Sequence, residues 1–364
     1  MDRRTVIKGG AAAGAVAAAS TLASPAIAQR RRRLKMVTTW PPNFPGLGTA
    51  ANDVARFISE ATDGELDIRV YAAGELVPAF ESFDAVSTGA AELYHGADYY
   101  WQGKHPAFAF FTSVPFGLNA AEMNAWLYHQ GGQELWDELS AGFNVKPFGC
   151  ANTGVQMGGW YTREINTVDD FNGLRIRMPG LGGEVMRKLG AAAVALPGGE
   201  IFQALQTGAI DATEWVGPWN DLAFGFYRVA PYYYGPGFHE PGALLSMGMN
   251  LDVWNELSPA HQRIVKMAAA ATTDRSLAEF NARNAGAMDE LVNEHGVQMR
   301  KFPDEVMIAI GNASGEVLRE VAQHDELTGR VYESFLAARR NGMIWGEWSE
   351  EGFAAARRLP MNFD

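Results

Sequence analysis

The chain contains 364 residues with a formal net charge of −12, and 47% of its residues are hydrophobic. The acidic balance argues against nucleic acid and anionic lipid surfaces as partners, because both repel a negatively charged protein. Cys150 is the only cysteine, so an internal disulfide is excluded, and the length is sufficient for two domains.

Residues 1–28 have the pattern of an export signal. Arg3 and Arg4 precede an apolar run rich in Ala and Gly, and the sequence AIA at 26–28 is a typical cleavage site. The paired arginines indicate the twin-arginine route, whereas a membrane anchor is disfavoured because the run is short and weakly hydrophobic. We predict a twin-arginine signal peptide over 1–28 and a periplasmic protein. Cleavage after Ala28 removes three basic side chains and one acidic one, which takes the net charge from −12 to −14.

The first part of the mature chain alternates strand and helix patterns. The predicted elements are strand Leu34–Trp40, helix Thr49–Ala61, strand Leu66–Tyr71, helix Phe80–Ser87 and strand Ala91–Gly96. This βαβ order predicts a largely parallel sheet with right-handed crossovers.

A second α/β set follows from Trp160 to about Tyr234. Its predicted elements are strand Leu174–Met178, helix Glu184–Leu189, strand Ala192–Leu196, helix Ile201–Gln206 and strand Ala212–Trp215. Leu244–Asn250 then has the pattern of a strand that returns to the first set. The second unit is therefore predicted to be inserted in the first, with crossings near residues 150 and 240.

The C-terminal third has helical patterns. Ser258 is a predicted N-cap followed by Pro259, and the pattern continues to His295, with Gly296 as the stop. Such a helix is about 57 Å long at 1.5 Å per residue, which is enough to brace two domains. Further helices are predicted at Asp304–Gln323, Asp325–Asn341 and Ser349–Leu359.

These elements predict an α/β fold of the two-lobed binding-protein type, with strands that cross a hinge, a long bracing helix and extra C-terminal helices. Lobe I is expected to comprise 34–151 and 241–257, and lobe II to comprise 152–240. Residues 258–364 are expected to form the interlobe helix and the C-terminal helices, for which dimerisation is a candidate role. A small ligand would bind between the two lobes.

Three polar side chains lie on apolar, strand-like stretches. Burial of a polar or charged group there is costly unless a partner pairs with it. The three groups are the amide of Gln156, the guanidinium of Arg177 and the carboxylate of Glu214. A guanidinium fits a carboxylate with two parallel hydrogen bonds, and carboxylate, amide and carbonyl oxygens are ligands for calcium or sodium. The alternative is that Arg177 and Glu214 simply pair with each other inside the core.

An enzyme is not indicated by the sequence. The motifs G-x-S-x-G and H-E-x-x-H and a metal-spaced set of Cys and His are missing from the chain. The glycine run at Gly180–Gly183 lacks the third glycine of a dinucleotide loop at the right spacing. An exported hydrolase is the alternative from a different functional class, and turnover of small esters or peptides would favour it.

Segments along essentially the whole mature chain resemble the solute-binding proteins of TRAP transporters. They are Trp40–Pro42, Ala61–Gly64, Tyr71–Leu76, Ala85–Glu92, Gly173–Arg177 and Leu205–Asp211. Others are similar to the branch that binds 2-oxo acids such as pyruvate with sodium, and to relatives that bind lactate with calcium. These are Tyr99–Trp101, Asn152–Trp160, Ala212–Pro218 and Ala230–Tyr234.

The resemblance implies roles for individual residues. Arg177 would grip the ligand carboxylate, and the cation would be held by Gln156, Glu214 and the main-chain carbonyl of Trp215. Tyr100 corresponds to a phenol that hydrogen-bonds the acid, and Asn152 is expected close by.

The segment Phe238–Glu240 departs from the family pattern, since two tryptophans are expected before the glutamate. This departure bears on pocket volume and on polarity beside the 2-substituent of the acid. Glu240 is added to the metal candidates, with a structural or hinge role as the alternative.

The family resemblance also implies a ligand and partners. The expected function is capture of a small 2-oxo monocarboxylate, such as pyruvate or 2-oxobutyrate, together with Na⁺ and without catalysis. The alternative is a 2-hydroxy acid such as lactate with Ca²⁺. The expected partners are the membrane subunits of a TRAP permease and a second copy of the chain.

Overall fold

The computed structural model describes residues 31–362, which form a mixed α/β fold with two sheets. The strands are β1 Arg32–Thr38, β2 Leu66–Tyr71, β3 Leu93–Gly96, β4 Val145–Asn152, β5 Gly159–Tyr161, β6 Arg175–Arg177, β7 Ala192–Val194, β8 Ala212–Thr213, β9 Tyr232–Tyr234, β10 Leu244–Asn250 and β11 Gln298–Arg300. The helices are α1 Leu47–Ala61, α2 Ser82–Ser87, α3 Ala120–His129, α4 Gly132–Ala141, α5 Gly180–Lys188, α6 Gly198–Gln206, α7 Pro218–Phe224, α8 Leu251–Asn255, α9 Pro259–Asn293, α10 Asp304–Val321, α11 Glu326–Trp348 and α12 Glu350–Ala356. The predicted signal peptide lies outside the described residues.

The first sheet has the strand order β2-β1-β3-β10-β4. β1 pairs in parallel with β2 and β3, which confirms the parallel pairing predicted from the βαβ order. β10 runs antiparallel between β3 and β4, so the strand predicted to return to this sheet does so. Its residues are buried along their whole length, as expected for a central strand.

The second sheet has the order β11-β9-β5-β8-β6-β7. β6 pairs in parallel with β7 and β8, and Arg177 and Thr213 are direct partners in this register. β5 runs antiparallel to both β8 and β9. β11 adds a parallel strand beside β9, although the sequence predicted only helices in this part of the chain. The strand was missed because Gln298–Arg300 is three residues long and largely polar.

The long helix α9 connects the two sheets. It packs against β4 and α1 of the first sheet and against α7 beside the second. Ser258 caps it as predicted, since its Oγ accepts the His261 N–H at 3.1 Å. The regular helix ends at Asn293 rather than His295, because the His295 N–H bonds the Glu290 carbonyl five residues back and Gly296 follows at φ +67°.

The glycine run before the predicted helix Glu184–Leu189 is part of a helix, because α5 begins at Gly180. A side chain on Gly183 would overlap the carbonyl oxygen of Met178, which lies just beyond β6. Gly180 has φ +64° and lies 3.2 Å, measured from an ideal Cβ, from the ring of Tyr99. The glycines therefore allow close packing of α5 against the end of β6.

The C-terminal helices pack on different parts of the molecule. α10 contacts α5, whereas α11 contacts α3, α4 and the 3₁₀ segment Pro106–Phe111. α11 continues to Trp348, past the predicted end at Asn341, and α3 and α4 were not predicted. Among residues 31–362, none of the helices combines the length and apolar character that a membrane span requires.

Gly248 in the middle of β10 provides a test of the first sheet. A Cβ at this position would overlap the ring of Tyr94, whose hydroxyl donates to Asp98 Oδ1 at 2.9 Å and so cannot move away freely. We expect Gly248→Ala to lower the free energy of unfolding, measured by chemical denaturation, by about 1–3 kcal/mol.

Gly286→Ala is the matched control, because Gly286 is an exposed helical residue of α9 with open space around it. This substitution should raise stability by up to about 1 kcal/mol, since alanine favours the helix. Equal unfolding midpoints for the two variants would contradict the packing described for β10.

Candidate functional site

The ends of β6 and β8 bring Arg177 and Glu214 together. Arg177 is the last residue of β6, and Glu214 directly follows its partner strand β8. Both side chains are buried, and Nη1 of Arg177 forms an ion pair with Oε1 of Glu214. Arg175, two residues earlier, is half exposed and pairs instead with Asp211. The ion pair that the sequence left as an alternative therefore exists in the structure.

The guanidinium of Arg177 has further partners. Nη1 also donates to the Glu214 carbonyl, and Nε donates to the Leu196 carbonyl, both at 3.2 Å. Nη2 has one long contact, 3.4 Å to the hydroxyl of Tyr100. Burial alone lowers the pKa of Arg177, but the charge of Glu214 raises it, and the net pKa shift is upward. The group therefore stays charged, and Nη2, which carries two hydrogens but makes one long contact, has a donor left for a ligand.

Gln156 is held with its amide oxygen unpaired. Its Nε2 donates to Oε2 of Glu240 at 2.7 Å and to Oγ1 of Thr153 at 3.1 Å. The Oε1 atom is buried and accepts no hydrogen bond from the described residues. The two acceptors on Nε2 fix the orientation of the amide, because the reverse orientation would set oxygen against oxygen. A buried carbonyl-type oxygen is thus available to a ligand.

The carbonyl oxygen of Trp215 is also without a donor among the described residues. Trp215 lies two residues beyond the end of the short strand β8, outside the hydrogen-bonded part of the sheet. The indole ring lies edge-on to Trp40, with ring centroids 6.4 Å apart, and Arg177 lies 5.2 Å from the ring centre. Trp215 therefore offers an oxygen ligand while its side chain packs beside the ion pair.

A histidine and a second glutamate complete the charged cluster. Nε2 of His239 lies 3.2 Å from Oε2 of Glu214, and ligand atoms of Glu214, His239 and Glu240 all lie within 4.8 Å of one another. Burial, followed by the negative charge of Glu214, raises the pKa of Glu240 well above its ordinary value. Two buried carboxylates thus face one guanidinium, so the cluster favours an added positive charge.

The oxygen atoms of this cluster fit a hard cation. Gln156 and Trp215 supply unpaired oxygens, and Glu214 supplies a carboxylate with both oxygens at the cluster. Sodium and calcium take such carboxylate, amide and backbone carbonyl ligands. The chemistry of the donor set therefore matches the metal that the sequence predicted for these residues.

Asn152 is the predicted site residue that the structure does not link to the others. Its Oδ1 accepts the Gly154 N–H at 2.8 Å, and its buried Nδ2 has no hydrogen-bond partner among residues 31–362. It shapes the turn after β4, from which the chain continues to Gln156. His239 is the residue that the sequence analysis did not assign, although its place in the unusual segment Phe238–Glu240 was a signal.

A narrow cavity of about 10 Å³, which is room for about one water molecule, adjoins the cluster. It is lined by Trp40, Leu47, Tyr99, Tyr100, Thr153, Gln156, Trp215, Val216, Glu240, Ala243 and Leu245. Most of these residues come from loops and short turns beside both sheets, with Leu47 from α1 and Leu245 from β10, so the cavity lies between the sheets. The lining mixes aromatic rings with a few polar groups, as in small-molecule sites, but the space is smaller than an organic acid, so the lining residues would have to move apart to admit one.

The profile of the bacterial extracellular solute-binding proteins of family 7, the DctP family, matches residues 36–325. The chain belongs to this family. The family assignment and the two-lobed α/β fold predicted from the sequence are thereby confirmed. DctP proteins act outside the cytoplasm, as the export signal led us to expect.

One DctP relative comes from Nostoc sp. and is named a monocarboxylate 2-oxoacid-binding periplasmic protein. It is 42% identical over 327 residues, which is 89% of each chain.

Three solved structures of TRAP solute-binding proteins superpose with a TM-score of 0.87 and cover 89–90% of this chain and 99% of their own. The protein from Bordetella bronchiseptica, 37% identical, holds calcium and picolinate in one site of a dimer with mixed occupancy. The protein from Pseudoalteromonas atlantica binds sodium and pyruvate, and that from Colwellia psychrerythraea binds calcium and pyruvate; each is 38% identical.

Proposed function

We propose that this protein captures a small 2-oxo monocarboxylate together with a cation and delivers the acid to the membrane subunits of a TRAP transporter. The main support is the pair of unpaired oxygens, Gln156 Oε1 and the Trp215 carbonyl, beside the buried Arg177–Glu214 ion pair. The names of the Nostoc relative and of the pyruvate-bound structures support the same ligand class. Sodium is the proposed cation, with calcium and a 2-hydroxy acid such as lactate as the alternative.

In this proposal the acid carboxylate meets the Nη2 end of Arg177 and the hydroxyl of Tyr100, which are the donors least committed to other protein groups. Asn152 supports the turn that leads to Gln156. The cation is held by Gln156, Glu214 and the Trp215 carbonyl, with Glu240 as a further candidate. A bound cation supplies positive charge and accepts oxygens of the acid.

Charge explains why a cation would be needed. An incoming carboxylate meets the carboxylate of Glu214 as well as Arg177, and both side chains are buried, whereas the raised pKa of Glu240 favours its neutral form. Two unit charges 4 Å apart interact with about 4 kcal/mol at an effective dielectric constant of 20. Repulsion from Glu214 would therefore offset much of the attraction to the guanidinium unless another positive charge is present.

The export route and the domain boundaries belong to this proposal as well. The chain is proposed to use the twin-arginine route, with residues 1–28 removed. Lobe I is proposed to comprise 34–151 with 241–257, and lobe II to comprise 152–240, so that closure of the lobes encloses the acid. Residues 258–364 would supply the interlobe helix and the C-terminal helices.

We further propose that the protein binds without catalysis. Cys150 is buried, and burial raises the pKa of its thiol above the ordinary value, which disfavours a nucleophilic thiolate. Turnover of small esters or peptides by the purified protein would instead favour the exported hydrolase.

Arg177→Lys tests the carboxylate anchor. Lysine keeps the charge but loses the planar fork of donors, so acid affinity measured by calorimetry should fall by about 2–5 kcal/mol. Arg175→Lys is the matched control on the same strand, because Arg175 is half exposed and pairs with Asp211 outside the cluster. Wild-type acid affinity in a folded Arg177→Lys protein would contradict the anchor assignment.

Salt dependence tests the cation. An α-keto acid presents a carboxylate oxygen and its 2-oxo oxygen to one cation, so acid affinity should be higher in the correct salt than in choline salt. The coupling should amount to about 1–3 kcal/mol and act equally on cation affinity. Titrations of dialysed protein in sodium, calcium and choline salts measure it.

Glu214→Gln should weaken cation binding and flatten this salt dependence, because it keeps the side-chain size but removes the negative charge. Propionate, which lacks the 2-oxo oxygen, should bind poorly in every salt. Equal pyruvate affinity in all three salts, unchanged in Glu214→Gln, would leave a carboxylate binder that uses no metal.

A homodimer is proposed from the exposed apolar surface at the C-terminus. Ile344, Trp345, Trp348 and Phe353 are 70%, 69%, 79% and 63% exposed on the end of α11 and on α12. Soluble monomers rarely expose several adjacent large apolar side chains, and the Bordetella bronchiseptica relative is a dimer. A second copy of this surface would bury these residues around a two-fold axis.

Light scattering tests the homodimer, and twice the monomer mass is expected. Trp345→Glu with Trp348→Glu should shift the protein to the monomer, because burial of two charges at the interface is unfavourable. Met267→Glu is the control, since Met267 is 72% exposed on α9 away from this surface and should leave the mass unchanged. A monomer mass for the wild-type protein would contradict the dimer.

A further inference from the structure

A third buried carboxylate, Asp221, lies behind the loop that carries Trp215. It belongs to α7 and is 1% exposed, and among the described residues no basic side chain pairs with it. Its Oδ2 accepts the Trp160 indole N–H at 2.9 Å and the Tyr233 hydroxyl at 2.7 Å. Its Oδ1 accepts the backbone N–H groups of Val216 and Gly217, each at 3.2 Å.

The contact to Val216 determines where the Trp215 carbonyl points. The Val216 N–H and the Trp215 C=O belong to one planar peptide unit, which is trans because the cis bond of the described chain is Gly235–Pro236. In a trans peptide the N–H and C=O point in opposite directions. Asp221 therefore holds the N–H on its own side and turns the carbonyl oxygen away from itself, where no protein donor meets it.

A second contact fixes the same loop from the other side. The Val216 carbonyl accepts the N–H of Met157 at 3.0 Å, and Met157 directly follows Gln156. The backbone on which Gln156 is mounted is thus tied to the backbone that carries the Trp215 carbonyl. Val216 is therefore fixed at both of its peptide groups, because its N–H donates to Asp221 and its C=O accepts from Met157.

The chemistry of the four partners explains why a carboxylate is needed. All four groups around Asp221 are donors, and an ionised carboxylate can accept at about four lone-pair positions, whereas an asparagine amide accepts at one oxygen only. Burial raises the pKa of Asp221 to about 7, and the bonds to Tyr233 and Trp160 oppose that rise. Holding such a group in the interior is costly, which points to a role beyond packing.

We propose that Asp221 is a positioning residue for the cation, which acts by holding the Val216 and Gly217 N–H groups and thereby aiming the Trp215 carbonyl. This inference rests on the proposed function, because it assumes that the Trp215 carbonyl is a cation ligand. It assigns to Asp221 an effect on the cation and on its coupling to the acid. Acid binding through Arg177 in the absence of the cation should not depend on it.

The test compares Asp221→Ala with the double variant Trp160→Phe/Tyr233→Phe. The double variant removes both side-chain bonds to Oδ2 but leaves the bonds from Oδ1 to Val216 and Gly217 intact. Pyruvate affinity is measured by calorimetry in sodium, calcium and choline salts, and cation affinity is measured directly by titration without acid.

In Asp221→Ala the enhancement of pyruvate affinity by the cation should fall by about tenfold, with a matching fall in cation affinity. Pyruvate affinity in choline salt should stay within about threefold of the wild type, and the double variant should keep the enhancement within the same range. A purely structural role would lower the thermal midpoint of both variants without this selective loss.

If Asp221→Ala does not fold, the triple variant Trp160→Phe/Tyr233→Phe/Asp221→Leu replaces it. This variant replaces the carboxylate and both of its side-chain donors by apolar groups, so that only the Val216 and Gly217 N–H groups lose their acceptor. If a folded protein without the Asp221 carboxylate keeps the enhancement of pyruvate affinity by the cation, the inference about Asp221 is wrong and the proposed function is unaffected. Equal pyruvate affinity of the wild type in all salts overturns the cation proposal and this inference with it.

Discussion

The buried ion pair between Arg177 and Glu214 is the interaction on which the site depends. Removing two charges from water is costly. Their mutual attraction offsets that desolvation only where the geometry is good and further hydrogen bonds satisfy both groups. Parallel pairing of β6 and β8 supplies that geometry, since it brings the ends of the two strands side by side. The Leu196 and Glu214 carbonyls occupy other donors of the guanidinium, and His239 meets the second carboxylate oxygen.

The surroundings of the pair divide into a polar side and an aromatic side. Gln156 and Glu240 extend the polar side through their hydrogen bond of 2.7 Å, and Glu240 adds a second carboxyl group whose pKa is raised by burial and by Glu214. The ring of Trp215 forms the aromatic side, and Trp40 from the loop after β1 packs edge-on against it. Aromatic rings limit access of water, so charges in this cluster interact more strongly than they would at the surface.

The sequence predicted the parts of this arrangement that depend on local pattern. Arg177 and Glu214 stood out because charged residues are rare on apolar strands, whereas the pairing of their strands β6 and β8 was not predicted and is a finding of the structure. His239 was not assigned, because its contact with Glu214 arises only when the chain returns from β9 toward β10. The predicted helix began at Glu184 rather than at Gly180, and the reason why Gly183 carries no side chain, the nearby carbonyl of Met178, is visible only in three dimensions. β11 was missed because three mostly polar residues carry no strand period.

The long helix α9 has a consequence for the thermodynamics of ligand capture. It packs against β4 of the first sheet and α7 beside the second, so both halves of the molecule share one rigid rod. Two bodies attached to a common rod have fewer independent motions than two bodies joined by flexible linkers. Part of the entropy that closure would otherwise cost is therefore lost when the chain folds, and a larger share of the contact energy remains as affinity.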